Sequence, residues 1–248
     1  MRDVLGSEAA VWQSRTPRAG FETADAAEVA PILTRAPAVL CLWGAVPGQG
    51  SDLDANVTLA QAALDAAASA GAGLVFLASS AAIYGRRSDG LTEDAAPTPI
   101  APYGAAKARM EEMALAHPHP SCILRIGNVA GADAILDGWR PDMALDADGG
   151  RTPARSYIGP ARLAQTLAAL LRLPDPPRVL NVAAPGAVEM GALLDAAELP
   201  WTPRAASADV IWRVALDTER LEALVSFAPH DSTAAGIVQD WRAWRAMR

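Results

Sequence analysis

The chain has 248 residues, of which 51% are hydrophobic and 20% are charged, so it can bury a sizeable core and is not a disordered protein. Its formal net charge of −7 argues against nucleic acid as a partner, because nucleic-acid-binding domains usually carry a basic patch. No apolar run reaches the length of a membrane span, and the first residues lack the order of a signal peptide. These features predict a cytoplasmic protein without a membrane partner.

The cysteines and histidines predict no metal site. Cys41 and Cys122 lie in apolar runs and are expected to be buried, reduced thiols rather than a disulfide or metal ligands. His117 and His119 lie in the proline-broken turn HPHP, which does not present them from a regular element.

The first two thirds of the chain alternate between strand-like and helix-like segments. Four nearly continuous apolar runs are typical of parallel strands that are covered on both faces: 9–14, 38–43, 74–79 and 121–127. Helices are predicted over 52–70, beginning near Ser51 or Asp52 as a cap, and over 102–116, with Pro102 in the first turn. This order of elements predicts an α/β fold with a doubly wound parallel sheet.

After about residue 130 glycine, proline and aspartate become frequent. A further strand is predicted over 178–182, and helices are predicted at about 160–172, 188–198 and 232–246. We therefore divide the chain into a dinucleotide-binding region, 1–130, and a smaller substrate-binding region, 131–248, that is interleaved with the last strands of the sheet.

Polar and small residues follow three of the predicted strands. Ligands of such sheets bind at the carboxyl ends of the strands, so chemistry is expected directly after them. Gly44 and Ala45 follow the second run, Ser79 and Ser80 follow the third, and Asn128 follows the fourth.

Tyr103 and Lys107 form the most informative pair of residues. Lys107 is the only lysine among 21 basic residues, and it lies four positions after Tyr103 in a predicted helix, hence on the same face. A nearby ammonium stabilises a phenolate and lowers its pKa toward neutral pH, where the tyrosine can exchange protons. Lysine offers a compact point charge, unlike the planar fork of arginine.

Several motifs in sequence order resemble one known family. The segments 74-LVFLASSAAIYG-85, 102-PYGAAK-107 and 123-ILRIGNVAG-131 are similar to motifs of the extended short-chain dehydrogenase/reductases, the NAD-dependent epimerase/dehydratases. The resemblance covers about 60 residues strongly and implies a Rossmann-like fold.

The resemblance implies a set of site residues. Tyr103 would be the acid/base, Lys107 would lower its pKa and bind the nicotinamide ribose, and Ser80 would bind the reacting oxygen of the substrate. Asn56 would belong to the same catalytic set, and Asn128 would face the substrate. Gly44 and Ala45 would lie beside the cofactor. The family's usual serine is replaced by Ala106, a mild departure because Lys107 is retained.

One family motif is missing. The family begins with a strand and a G-x-x-G-x-x-G loop that holds the pyrophosphate, and the sequence has no such loop. Its first residues read as the tail of a helix followed by the family's second strand. We therefore expect an N-terminally truncated sheet, or a sheet in which something else fills the position of the first strand.

The cofactor and the substrate are less clearly indicated. Arg15 lies where the family's NAD-binding members carry an acidic residue, which favours NADP slightly over NAD. Only residues 132–154 separate the NVAG and RSYIG segments, which indicates a compact substrate region and a small or sugar-like substrate. Family members are often dimers, so the resemblance also allows a homodimer.

Three hypotheses remain open at this point. The first is an NAD(P)-dependent oxidoreductase or epimerase/dehydratase that acts on a hydroxyl or carbonyl group. The second is a non-catalytic member that senses a nucleotide or binds a partner. The third is an inactive truncated form.

Overall fold

A computed structural model describes residues 1–6, 10–19, 21–26, 28–48, 50–88 and 90–247. The first helix, α1, is short, and the strands that follow it lie in two separate sheets. The elements up to the middle of the chain are α1 (Arg2–Leu5), β1 (Gln13–Ser14), β2 (Glu22–Thr23), β3 (Ala38–Cys41), α2 (Ala55–Ala70), β4 (Leu74–Ser80), α3 (Pro102–Ala116) and β5 (Ser121–Ile126).

The second half contains short strands and four more helices. They are β6 (Asn128–Val129), β7 (Ala144–Ala147), β8 (Ala154–Arg155), β9 (Tyr157–Ile158), α4 (Pro160–Leu170), β10 (Val179–Val182), β11 (Val188–Glu189), α5 (Met190–Ala196), β12 (Thr202–Ala205), β13 (Arg213–Val214), α6 (Glu219–Glu222) and α7 (Ala234–Ala246). Single 3₁₀ turns lie at Ala81–Tyr84 and Pro229–Ser232.

The main sheet has four parallel strands in the order β10-β5-β4-β3. Because β10 comes from the second half of the chain, the two predicted regions share this sheet. β1 and β2 pair in parallel with each other, in a separate two-stranded sheet. The expected α/β architecture with parallel strands is confirmed.

The central strands are apolar on both faces because helices cover both. Val75 and Leu77 of β4 pack into a cluster with α2 and α3, whereas Phe76 packs into a cluster with Leu167 of α4 on the other face. A third cluster, around Tyr157 and Trp241, joins α5 and α7 in the second half. Cys41 and Cys122 are free, buried thiols in the first two clusters.

Helix α3 begins at Pro102 and ends at Ala116, as predicted. Helix α2 begins later than predicted, at Ala55, and its cap residue is Asp54 rather than Ser51 or Asp52. The carboxylate of Asp52 instead accepts a hydrogen bond from the Asp54 amide, so it shapes the turn before the helix.

The first strand differs most from prediction. The apolar run 9–14 forms a strand only at Gln13–Ser14, and Ala9 lies outside the described residues. A run of apolar residues becomes a long buried strand only when neighbours pair with both of its edges, and among the described residues β1 pairs on one edge only.

Candidate active site at the carboxyl end of the sheet

The candidate site lies where three neighbouring strands end. β3, β4 and β5 are parallel, so their carboxyl ends meet at one edge of the sheet. Ser80 is the last residue of β4, Gly44 follows β3, and Asn128 follows β5. The sequence-based expectation that these residues share an edge therefore agrees with the topology.

The side chain of Asn56 connects the loop after β3 to the first turn of α2 through hydrogen bonds. Its amide oxygen accepts a hydrogen bond from Ala45 N at 3.2 Å, and its amide nitrogen donates to the carbonyl oxygens of Ala45 and Leu53 at 3.0 and 2.9 Å. Asn56 is only 1% exposed. Through these three hydrogen bonds Asn56 positions the loop that contains Ala45.

Gly44 is required by the close approach of two side chains. A Cβ atom at this position would lie 2.7 Å from Asn56 Oδ1 and 3.3 Å from Lys107 Nζ. Only a glycine leaves room for both neighbours, so β3, α2 and α3 converge at one point.

Ser80, Tyr103 and Lys107 meet beside this loop. Ser80 lies close enough to the Tyr103 hydroxyl to lower the pKa of that hydroxyl, and Ser80 Oγ accepts a hydrogen bond from Ala82 N at 3.2 Å. Lys107 Nζ donates to the carbonyl oxygen of Ala78 at 2.7 Å and lies 5.9 Å from the centre of the Tyr103 ring. The side chains predicted from the spacing in α3 are therefore brought together.

Burial has the largest effect on the pKa values of Tyr103 and Lys107. It raises the pKa of Tyr103 above its ordinary value, and the hydrogen bond with Ser80 only partly opposes this effect. Burial also lowers the pKa of Lys107, while the negative forms of Cys41 and Glu111 raise it. The sequence led us to expect a lowered pKa for Tyr103, and the structure gives the opposite direction because the hydroxyl is partly desolvated.

Asn128 and Arg15 lie on other elements: Asn128 belongs to β6, and Arg15 directly follows β1. Asn128 is half-buried in β6, where its backbone N–H donates to Ser156 O at 2.9 Å. Arg15 is exposed, at the rim of a large cavity beside β1 and β3. It is close enough to Cys41 for its charge to lower the pKa of that thiol.

A buried polar network behind the site was not predicted. Arg125 and Glu111 are 4% and 2% exposed and form a salt bridge of 2.8 Å between α3 and β5. Ser79 Oγ donates to Glu111 Oε1 at 2.5 Å, and Arg125 Nη1 donates to the Tyr84 hydroxyl at 2.9 Å. Tyr84 in turn donates to Asn181 Oδ1 of β10 at 2.8 Å.

One sequence signal could have revealed this network. Glu111 follows Lys107 by four positions, which extends the face of α3 that carries Tyr103 and Lys107. A carboxylate on a buried helical face requires a cationic partner. Arg125 is a charged residue within an otherwise apolar predicted strand, so it is the candidate partner of Glu111.

The arrangement fits one half of a nicotinamide dinucleotide. Tyr103 and Lys107 place hydroxyl and ammonium donors at the strand edge, where a ribose could be bound, and Gly44 keeps the adjoining loop narrow. The part of the chain that the structure describes contains no strand that passes through a short glycine-rich turn directly into a helix, the arrangement that holds a pyrophosphate.

Two features are absent from the described residues. Among them, no helix is both long and apolar enough to cross a membrane. Within the same part of the chain, no group of three or more His, Cys, Asp or Glu side chains is placed to hold a metal ion.

Comparison with known proteins connects this site to a family. Residues 24–145 match the model of the NAD dependent epimerase/dehydratase family. Over 75 residues the chain is 47% identical to UDP-glucose 4-epimerase of Azospirillum brasilense. That match covers 28% of this chain and 22% of the epimerase, so it spans about a fifth of the relative's length.

Solved structures share the fold at low sequence identity. The NAD-dependent NDP-hexosamine 5,6-dehydratase TunA, of tunicamycin biosynthesis, superposes with a TM-score of 0.77 at 20% identity, over 94% of this chain and 86% of its own. UDP-glucose 4-epimerase from Stenotrophomonas maltophila, solved with bound NAD and formylated UDP-arabinopyranose, has a TM-score of 0.73 at 20% identity, over 92% and 83%. At these identities the likeness establishes the fold.

A parallel Rossmann-like sheet with serine, tyrosine and lysine together at its carboxyl edge agrees with the resemblance to the extended short-chain dehydrogenase/reductases. Residues 24–145 belong to the NAD-dependent epimerase/dehydratase family. The resemblance seen in the sequence is confirmed.

Proposed function

We propose that the protein is an epimerase/dehydratase-type oxidoreductase that acts on a hydroxyl or carbonyl group of a sugar-like substrate. One observation carries the proposal: Ser80, Tyr103 and the only lysine of the chain, Lys107, come together at the carboxyl edge of the sheet. In this proposal residues 1–130 bind the dinucleotide and residues 131–248 bind the substrate.

The three side chains divide the proton chemistry among them. Tyr103 Oη accepts the proton of a substrate hydroxyl during oxidation and returns it during reduction. Ser80 Oγ holds the same substrate oxygen, and the Lys107 ammonium stabilises the phenolate form of Tyr103. When bound, a nicotinamide cofactor supplies the acceptor or donor of hydride.

We propose NAD(H) as the cofactor. The family model bears this cofactor in its description, and the epimerase from Stenotrophomonas maltophila was solved with NAD bound. The preference for NADP rests on Arg15 alone, and the NAD-bound neighbours lend it no support. Titration with both cofactors decides between them, because a 2′-phosphate contact of Arg15 would strengthen NADP(H) binding selectively.

The proposed substrate class rests on the second half of the chain. A cavity of about 390 Å³ there is lined by polar and apolar side chains, among them Arg140, Arg204, Met143 and Met190. Such a mixture suits a sugar, which offers hydroxyl groups and an apolar ring face. The named relatives that act on nucleotide-linked sugars point to the same class.

The Tyr103→Phe variant tests the proposal. The substitution removes the hydroxyl that exchanges the proton and keeps the aromatic ring, so turnover should fall by about 10²-fold or more. NAD(H) binding, followed by quenching of tryptophan fluorescence, should be nearly unchanged. Turnover is measured on a panel of UDP-hexoses by product chromatography.

Two outcomes would contradict the proposal. Full turnover in Tyr103→Phe would remove Tyr103 from the acid/base role. A folded wild-type protein that binds NAD(H) tightly, converts none of the sugars, and changes its affinity for another protein when the cofactor is added would favour the non-catalytic hypothesis instead.

A further inference from the structure

A single turn of 3₁₀ helix determines where the Ser80 side chain lies. Ser80 ends β4 and caps the turn Ala81–Tyr84, because Ser80 Oγ accepts a hydrogen bond from Ala82 N. Ser79 comes directly before this segment and Tyr84 is its last residue, and their exposed fractions are 4% and 0%. The position of Ser80 therefore depends on what holds Ser79 and Tyr84.

Ser79 connects the start of this segment to α3. Its hydroxyl donates to Glu111 Oε1 at 2.5 Å, and the same carboxylate accepts hydrogen bonds from Nε and Nη2 of Arg125 at 3.1 and 2.8 Å. Ser79 is also the register partner of Arg125 in the pairing of β4 with β5. The side chain and the main chain of Ser79 are thus both held.

Tyr84 connects the end of the segment to the same arginine. Arg125 Nη1 donates to the Tyr84 hydroxyl at 2.9 Å, and the guanidinium carbon lies 5.1 Å from the centre of the Tyr84 ring. Arg125 and Glu111 are themselves buried and paired. One ion pair therefore holds both ends of the segment that carries Ser80.

The 3₁₀ turn also touches α3 beside Tyr103. A Cβ atom at Gly104 would lie 2.5 Å from the carbonyl oxygen of Ala82, so the main chains of the turn and the helix are in direct contact there. Ala82 is the residue whose amide binds Ser80 Oγ. A shift of the turn would therefore change the position of Ser80 relative to Tyr103.

We propose that Ser79 and Tyr84 are positioning residues, which the pair of Glu111 and Arg125 holds so that Ser80 and Tyr103 bind the same substrate oxygen. The role of Ser80 and Tyr103 in this statement rests on the proposed function. Ser79 and Tyr84 do not touch the reacting atoms and act through the alignment of two groups that do. Their effect should therefore fall on kcat more than on KM.

Ser79→Ala and Tyr84→Phe test the two ends of the segment. Ser79→Ala removes one hydroxyl and leaves the salt bridge of Glu111 and Arg125 in place, so the protein should fold. In Tyr84→Phe, Arg125 Nη1 keeps its hydrogen bond to the carbonyl oxygen of Glu93 at 2.9 Å. Each variant should lower kcat on the UDP-hexose panel by about tenfold and change KM by less than about threefold, because small misplacements of reacting groups slow turnover strongly.

Ser121→Ala is the matched control for Ser79→Ala. Ser121 is also 4% exposed, and its hydroxyl donates to the carbonyl oxygen of Ala114 in α3 at 3.5 Å. It begins β5 and so lies at the amino end of the sheet, whereas Ser79 lies at the carboxyl end. Ser121→Ala loses a buried hydroxyl of the same kind, but its kcat should equal that of the wild type. Urea denaturation shows that both variants are folded.

A second measurement needs no turnover. The chain has three tyrosines, so tyrosine labelled with ¹³C at Cζ gives three NMR signals, and the signal of Tyr103 is the one that Tyr103→Phe removes. Ser80→Ala shows how far this signal moves when the serine hydroxyl beside Tyr103 is lost. Ser79→Ala should move it in the same direction, and Ser121→Ala should leave it unchanged.

The two measurements separate this inference from the proposed function. A folded wild-type protein that converts none of the sugars would count against the proposed function, and the NMR comparison would still decide whether Ser79 positions Ser80 beside Tyr103. Equal kcat values for Ser79→Ala and Ser121→Ala would overturn the inference. So would a loss confined to KM, or a Tyr103 signal that Ser79→Ala does not move.

Discussion

Lys107 is the residue whose surroundings are most informative about the site. Its ammonium is buried, donates to the carbonyl oxygen of Ala78, and has Tyr103 and Glu111 on the same helical face and Cys41 on the neighbouring strand. Burial lowers its pKa, and the Glu111 carboxylate partly restores it. The protonation of Lys107 therefore depends on a carboxylate four positions farther along α3.

Replacing Glu111 by glutamine should lower the pKa of Lys107 further, since the carboxylate that stabilises the ammonium is lost while the shape is kept. Lysine labelled with ¹³C gives one side-chain signal, because the chain has a single lysine. An NMR titration of this signal measures the pKa directly.

Glu112→Gln is the control for that titration, because Glu112 is exposed and lies on another face of α3. If Glu111→Gln and Glu112→Gln left the Lys107 titration equally unchanged, the electrostatic link would be wrong. Circular dichroism would show that the Glu111→Gln protein is folded before the titration is interpreted.

Gly44→Ala should displace Asn56 and disturb the loop beside the site. The added Cβ would lie 2.7 Å from Asn56 Oδ1, so one of the hydrogen bonds with Ala45 must lengthen. We expect the free energy of unfolding to fall by about 1–3 kcal/mol, as in other overpacked sites. Urea denaturation measures the change.

Gly48→Ala is a matched substitution in the same loop. Its nearest neighbour would be the hydroxyl of Ser51 at 3.0 Å, at the end of an exposed side chain that can move. Its stability should remain close to that of the wild type. A Gly44→Ala protein as stable as Gly48→Ala would show that the convergence of β3, α2 and α3 tolerates a methyl group.

At the scale of the elements, the pair of Arg125 and Glu111 joins α3 to the sheet. It connects α3 to β5, and through Tyr84 and Asn181 it reaches β10. A buried pair of this kind is most costly when only one partner is removed, because the other charge is left unpaired.

Arg125→Met should therefore destabilise the protein by about 3–5 kcal/mol. The double variant Arg125→Met with Glu111→Leu should recover part of that loss, since no buried charge remains. Denaturant unfolding of both single variants and the double variant completes the cycle. Strictly additive effects would mean that the two side chains do not stabilise each other.

At the scale of the whole molecule, the four-stranded sheet and the sheet of β1 and β2 differ in how fully their strands are paired. β4 and β5 lie inside the four-stranded sheet and are largely buried, whereas β1 and β2 form a two-stranded sheet of two residues each, and β2 is exposed. We therefore expect local opening to cost more free energy in the four-stranded sheet than in the sheet of β1 and β2.

Hydrogen exchange followed by mass spectrometry should show slow exchange over Leu74–Ser80 and Ser121–Ile126 and fast exchange over 10–24. The expected order reflects how many neighbours each strand has. Slow exchange over 10–24 in the isolated protein would mean that these strands are already paired on both edges.

The sequence by itself determined the features that depend on local geometry. The apolar runs of β4 and β5 and the proline start of α3 were predicted because periodicity and capping act within a few residues. The proximity of Tyr103 and Lys107 was also predictable, since four positions along a helix place two side chains on one face. The family motifs then indicated Ser80, Gly44 and Asn56.

Only the tertiary structure decided what depends on distant parts of the chain. The Arg125–Glu111 pair joins separate elements, and Asn56 is hydrogen-bonded to the loop that follows β3. The partners of these side chains therefore cannot be predicted from their spacing in the sequence. The pKa of Tyr103 is raised because burial, which the sequence does not measure, outweighs local charge. The open cavity between β1 and β3 also depends on strand pairing. An apolar run predicts a strand, but it does not determine which strands pair with it.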